Sequence, residues 1–159
     1  MIRLIEENLV RQNKAMLLML LLLEEEFSRL TQLKPQSVSR VELSIQELMR
    51  QVAGERVSLR RLVARVEPSA QRVRDILPGL DEEEAGAITQ LLKRLDETEQ
   101  KCGVQAAKNQ QLAMALFDQS KGLLDFMHNQ IKPKSTTTYG RTARFAKGIN
   151  DARLLSGRL

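Results

Sequence analysis

The residues best suited to catalysis are few and lie far apart in this sequence. The chain contains one histidine, His128, and one cysteine, Cys102, which are 26 positions apart. A structural zinc site needs four ligands, and a catalytic nucleophile needs a base within hydrogen-bonding distance. One cysteine and one histidine supply neither arrangement. We therefore expect no metal site and no cofactor, and we interpret His128 as a polar residue near the end of a helix.

Two acidic clusters, Glu24–Glu26 and Asp81–Glu84, are the remaining candidates for acid–base chemistry. Within each cluster the carboxylates are consecutive, and consecutive residues of a helix point in different directions around its axis. Paired catalytic carboxylates must instead converge on one substrate. The sequence also lacks a glycine-rich phosphate loop, since Gly148 and Gly157 are isolated. These observations predict that the protein is not an enzyme.

Two other features favour binding to a macromolecule. The first is a wide apolar face between Leu112 and Met127, a type of surface that packs against a second helix. The alternative for this face is ordinary core packing. The second is Tyr139, the only tyrosine, which lies beside Gly140 in a polar stretch. Tyrosine is enriched at interfaces because its ring is apolar and its hydroxyl is polar; the alternative is a solvated side chain without a role.

The apolar face lies in a long predicted helix over residues 81–131. Apolar residues recur there at steps of three, four and their multiples, and no proline occurs before Pro133. At 1.5 Å per residue, an unbroken helix of this length would measure roughly 75 Å. The apolar residues of this repeat form a seam that can pack against another helix. From Glu99 to Asn109, polar residues occupy seam positions, which predicts a break in the packing or in the direction of the helix. We expect the second half to carry more apolar surface than the rest of the chain covers.

The residues before this helix predict an antiparallel helical hairpin. Residues 2–33 carry a heptad pattern, which widens to the whole circumference at Met16–Leu23 and so indicates a bundle centre or a self-association patch. Residues 38–66 carry the clearest seam of the chain. The turn between the two helices contains Pro35, and Ser37 is the predicted N-cap of the second helix. A short connection between two long amphipathic helices places them antiparallel.

These elements together predict an all-α fold. A short helix at 69–77 links the hairpin to the long third helix, and residues 1–131 form a single helical domain. The composition agrees, because only 3% of the residues are aromatic and side-by-side helices need few rings. The single cysteine excludes a disulfide within the chain and indicates a reducing, cytoplasmic setting. The nine apolar residues 15–23 are too few to insert into a membrane, since a span needs about 20.

The positive charge is concentrated at the C-terminal end. Residues 132–159 contain seven basic residues and one acid, so their net charge is +6. The remaining residues have a net charge of −1, which gives +5 for the whole chain. Like charge and low apolar content predict a flexible basic tail. This tail supports an alternative function, a coiled-coil adaptor for nucleic acid or an anionic membrane surface. Deleting residues 141–159 would abolish that function but would spare binding through a helix face. One phenylalanine and one tyrosine are few for base stacking, so we do not expect nucleic-acid binding.

The order of features in residues 105–140 is the most distinctive part of the sequence. An Asn-centred stretch, Ala106 to Leu112, is followed by the leucine-rich segment Gly122 to Phe126, a Pro/Lys/Thr linker, and then Thr138-Tyr139-Gly140. With the preceding heptad hairpin, this order resembles the FlgN family of flagellar export chaperones. The resemblance implies a small cytoplasmic helical protein that binds flagellar hook-associated proteins and delivers them to the type III export gate.

The resemblance also implies two groups of site residues. The C-terminal helix region of the family binds the client, and the tyrosine of its Tyr-Gly motif docks on the cytoplasmic domain of the export gate. In this chain the docking residues would be Tyr139 and Gly140. The client-binding residues would be Asn109, Leu112, Leu116, Phe117, Leu123 and Met127.

Overall fold

A computed structural model describes residues 1–131, and these residues contain helices and turns but no strand. The all-α prediction is therefore confirmed, as are the hairpin and the long third helix. The chain divides into two compact units, Met1–Phe117 and Asp118–Leu159, of which the second is described as far as Ile131. The single domain over residues 1–131 stays a prediction. The helices are α1 (Ile2–Thr31), α2 (Pro35–Val66), α3 (Val73–Ile76, followed by a 3₁₀ turn at Leu77–Gly79) and α4 (Glu82–Ile131).

Helices α1 and α2 form the antiparallel hairpin. Asn8 near the start of α1 contacts Glu55 in the second half of α2, and Arg29 near the end of α1 donates a hydrogen bond to the carbonyl oxygen of Ser37 at the start of α2. The apolar seam of each helix faces the other, as the heptad pattern predicts. The buried residues of these two seams are Ile5, Leu9, Met16, Met19, Leu23, Val38, Val41, Ile45, Leu48, Val52 and Val63.

The turn between α1 and α2 differs from the predicted one. The backbone N–H groups of Leu33 and Lys34 donate to the carbonyl oxygens of Leu30 and Arg29, which is the Schellman arrangement that ends many helices. Leu33 takes the left-handed conformation that this motif requires, at φ 55°. Helix α2 then begins at Pro35, since proline suits the first position of a helix. The predicted N-cap at Ser37 is therefore wrong.

Aspartates position the connection to α4. Oδ2 of Asp75 accepts hydrogen bonds from the backbone N–H groups of Arg72 and Gln71, and these bonds lower the pKa of Asp75. Oδ1 of Asp81 accepts from the backbone N–H of Glu84 and caps α4. The first turn of α4 also contains three glutamates, whose negative charges interact favourably with the positive end of the helix dipole.

Within the first unit, α4 runs parallel to α1 and completes a three-helix bundle. The Nδ2 group of Asn13 donates to the carbonyl oxygen of Leu91, and Sγ of Cys102 donates to that of Met16. Both pairings advance in the same direction along the two helices. Ile88 of α4 is completely buried in the shared core. No helix in residues 1–131 combines the length and apolar character needed to cross a membrane.

The predicted break between Glu99 and Asn109 does not occur. Helix α4 is continuous from Glu82 to Ile131, and both Cys102 and Asn109 are buried. The packing continues through this polar stretch because its side chains find partners on the other helices. Glu99, for example, forms an ion pair with Arg56 of α2.

Candidate functional site

One row of positions in α4 changes from buried to exposed along the chain. The row repeats every seven residues, so an α-helix keeps its members close to one face. Its members are Ile88, Leu95, Cys102, Asn109, Leu116 and Leu123. The first four are buried, Leu116 is half-buried, and Leu123 is 59% exposed. The apolar seam therefore extends past the point where the described chain covers it.

Asn109 is the last fully buried member of this row, with 4% of its surface exposed. Its Nδ2 group donates to the carbonyl oxygen of Leu23, at 2.8 Å, and to Oε2 of Glu26, at 2.5 Å. Its Oδ1 atom accepts a hydrogen bond from Nε2 of Gln105. The amide of Asn109 thus ties α4 to α1 just before the seam becomes exposed. Its predicted contact with a client stays a prediction, and in the client-free chain its hydrogen-bonding groups are occupied.

Replacing Asn109 by alanine should destabilise the fold, and Asn129→Ala is the matched control. The Asn109→Ala variant leaves the half-buried Glu26 carboxylate without the amide donor and the Gln105 side chain without its acceptor. Asn129 is exposed in the last turn of the same helix, so Asn129→Ala makes the same change of side chain at a position that is not buried. We expect Asn109→Ala to lower the free energy of unfolding by about 1–3 kcal/mol relative to Asn129→Ala. Urea denaturation followed by circular dichroism measures the difference. Coincident curves for the two variants would contradict the proposed tie.

The other predicted client-binding residues differ in exposure. In the first unit, Leu112 and Leu116 are half-buried and Phe117 is exposed. In the second unit, Leu123 and Met127 are exposed. The exposed side chains of the second unit also include Leu124 and Ile131, which the predicted site omits. Ile131 follows Met127 at helical spacing, so the periodicity that identified the other residues could have found it. We call the exposed apolar side chains Leu123, Leu124, Met127 and Ile131 of the second unit the distal face.

The groups first considered for catalysis, Cys102 and His128, differ in their surroundings. Burial raises the pKa of the Cys102 thiol, and the carboxylates of Glu99 and Glu24 raise it further, so the thiol stays protonated. His128 is exposed in the last turn of α4. Among residues 1–131, no three histidine, cysteine or acidic side chains are grouped closely enough to hold a metal ion.

An apolar cleft of about 510 Å³ opens between α1, α2 and α4 within the first unit. Methionines 16, 19 and 49 contribute to its walls, and Gly103 and Ala106 leave space on the α4 side. Methionine side chains adapt to partners of different shape. Arg56 is the one charged residue in its lining, so the cleft is suited to apolar contact.

Tyr139 and Gly140, the predicted docking residues for the export gate, lie outside the described residues, as does the whole basic segment 132–159.

Comparison with known proteins gives one match. The model of a protein family described as "FlgN protein" matches residues 1–146, which is more than nine-tenths of the chain. A search of curated proteins and a search of solved structures returned no match.

Proposed function

Because this chain belongs to the FlgN family, whose general role is that of a flagellar export chaperone, we propose that it binds flagellar hook-associated proteins. In this proposal the chain keeps its clients in an export-competent form in the cytoplasm and delivers them to the type III export gate. Binding and release require no chemical step and no cofactor.

The observation that carries this proposal is the exposure of the apolar seam at its C-terminal end. Leu95 and Leu123 occupy equivalent positions of the seven-residue repeat, yet Leu95 is 7% exposed and Leu123 is 59% exposed. Contiguous apolar surface on a protein in water often marks a site of interaction with another macromolecule. An amphipathic client helix could cover the distal face much as α1 and α2 cover the first half of α4.

The size of the distal face is sufficient for specific but reversible binding. Full burial of a fully exposed leucine, isoleucine or methionine side chain contributes about 1.5–3 kcal/mol. The four side chains of the distal face are 49–66% exposed, so each would contribute roughly half of that on burial. Ordering a client helix and losing its independent motion would offset a large part of this gain. A chaperone that must release its client at the gate benefits from that balance.

The first unit serves as the scaffold in this proposal, and buried polar groups fix its helices. Nε2 of Gln12 donates to Oδ1 of Asn8, and Nδ2 of Asn8 donates to the carboxylate of Glu55 across the hairpin. Arg11 forms two hydrogen bonds with the same carboxylate. Buried polar pairs of this kind can fix the register of neighbouring helices. Asn109, which bonds α4 to α1, holds the neighbouring client-binding residues Leu112, Leu116 and Phe117 relative to this hairpin.

Replacing Tyr139 by alanine should separate gate docking from client binding. We propose that Tyr139 and Gly140 contact the gate, while the client contacts α4. The Tyr139→Ala variant should bind a hook-associated client with unchanged affinity and should bind the purified cytoplasmic domain of the gate at least about tenfold more weakly, the usual cost of losing an interface anchor. Titration calorimetry measures both affinities, and Tyr139→Phe controls for the hydroxyl group. If Tyr139→Ala weakened binding to both the client and the gate, or to neither, the separation of gate docking from client binding would be refuted.

A further inference from the structure

A second heptad stripe runs along α1 outside its buried seam, and near its C-terminal end Glu24 borders the groove between α1 and α4. Its members follow alternating steps of four and three: Val10, Lys14, Leu17, Leu21, Glu24 and Ser28. Two seams on one helix indicate two packing partners. The bundle of the first unit uses only the inner seam, because Leu17 and Leu21 are 55% and 62% exposed. We call the six residues of the second seam the outer stripe.

The outer stripe is nearly symmetric about its own centre. The two leucines lie on either side of the midpoint at residue 19, and Lys14 and Glu24 lie five residues before and after it. Two copies of α1 packed antiparallel about this midpoint would place Leu17 of one copy beside Leu21 of the other. The same arrangement would place Lys14 of each copy beside Glu24 of the other copy. A two-fold interface has this property, since each contact occurs twice.

The charges of the outer stripe favour the antiparallel arrangement over the parallel one. Parallel helices in register would place Lys14 beside Lys14 and Glu24 beside Glu24, which are like charges. Within residues 1–131, neither Lys14 nor Glu24 takes part in an ion pair, although Glu24 borders a groove that Lys101 and Lys108 of α4 also line. Both side chains are exposed. Their positions therefore complement a second copy of the same surface.

We propose that the outer stripe is a homodimer interface, in which the α1 helices of two copies pack antiparallel. Leu17 and Leu21 of both copies form its apolar centre, with Leu18 at the edge, and a Lys14–Glu24 ion pair closes each end. The interface uses three turns of one helix, so we expect a weak dimer that forms in the micromolar range or above. The proposed interface uses residues of the first unit, and its test needs no client.

Sedimentation equilibrium of the full chain tests the dimer directly. From about 1 μM to 1 mM, the average mass should rise from the monomer value of 18.1 kDa towards twice that value. Leu21→Asp should keep the chain monomeric over the same range, because a charge would enter the apolar centre. Leu43→Asp is the matched control, since Leu43 is equally exposed on α2 but lies outside the outer stripe. A wild-type chain that stays monomeric, or a dimer that survives Leu21→Asp, would overturn the proposal.

Charge reversal tests the orientation. Lys14→Glu alone and Glu24→Lys alone each place two like-charged pairs in the interface and should weaken the dimer at least about tenfold. The double variant Lys14→Glu/Glu24→Lys should recover wild-type affinity, because both ion pairs form again in the opposite sense. An equimolar mixture of the two single variants should dimerise better than either one alone. Failure of both the double variant and the mixture to recover would rule out the antiparallel arrangement. A monomer in which Leu21→Asp weakens client binding would instead assign the outer stripe to the client.

Discussion

Replacing Leu123 by aspartate is expected to weaken binding of a hook-associated client by about 30-fold or more, while the helical content of the chain stays unchanged. Leu123 is exposed in the client-free chain, so a carboxylate at this position is solvated and costs the fold little. In the complex, the same carboxylate would have to enter an apolar contact without a partner. Substitution of a central interface residue typically costs 2 kcal/mol or more, which corresponds to about 30-fold in affinity.

The control for this experiment is Asn129→Asp, which adds the same charge to the same helix at an exposed position. Asn129 is six residues from Leu123, about 120° away around the helix axis, so its side chain lies off the distal face. Titration calorimetry with purified client should show wild-type affinity for the control. Equal affinities for the Leu123→Asp variant and the wild-type chain would show that the distal face does not bind the client.

The second large effect is a difference in stability between two variants, Leu95→Ala and Leu123→Ala, which truncate equivalent leucines of α4. Leu95 and Leu123 belong to the same seven-residue row, and both can be truncated to alanine with the same change in chemistry. Leu95→Ala should lower the free energy of unfolding by about 2–5 kcal/mol, because it removes buried contacts and leaves a cavity. Leu123→Ala should change it by less than about 0.5 kcal/mol, since the side chain is already in contact with water.

Urea denaturation of both variants measures this contrast without any partner protein. A large loss of stability in Leu123→Ala would mean that Leu123 is buried in the free chain. A small loss in Leu95→Ala would mean that α4 is not part of the core of the first unit. Either result would remove the structural reason for placing the client on the distal face.

The helices and their seams could be predicted from the sequence because they depend on local periodicity. The sequence identified Asn109 as a polar residue at a seam position, and Gln12, Glu26 and Glu55 are polar residues at seam positions of α1 and α2. Their pairing could not be predicted, because it depends on how far one helix is shifted along another. In the structure, Gln12 is linked to Glu55 through Asn8, and Asn109 donates to Glu26. The polar stretch in α4 is therefore a point of attachment between helices, where the sequence alone had suggested a break.

The apolar run of α1 shows a similar limit. Its whole circumference is apolar at Met16–Leu23, and the sequence could not decide between a bundle centre and a self-association patch. The structure divides the run, since Met16, Met19 and Leu23 are buried whereas Leu17 and Leu21 are exposed. The direction in which each side chain points follows from the helix, but which side is covered depends on where α2 and α4 pack.

The end of α1 could not be predicted from propensity alone. The heptad pattern continues to Leu33, but the helix ends at Thr31 and Leu33 adopts a left-handed conformation. This conformation costs a non-glycine residue about 1–2 kcal/mol. The local hydrogen bonds of the Schellman motif and the reversal of the chain into α2 offset that cost, and the reversal depends on the packing of α2 against α1.

Amide hydrogen exchange of the full chain, free and saturated with a hook-associated protein, tests the central claim most directly. In the free chain, the backbone hydrogen bonds of residues 118–131 lie beneath exposed side chains, so local opening should be frequent. If a client helix covers the distal face, exchange of these amides should slow on binding, while exchange in α2 stays the same. A saturated complex in which residues 118–131 exchange as fast as in the free chain would contradict the assignment of client binding to α4.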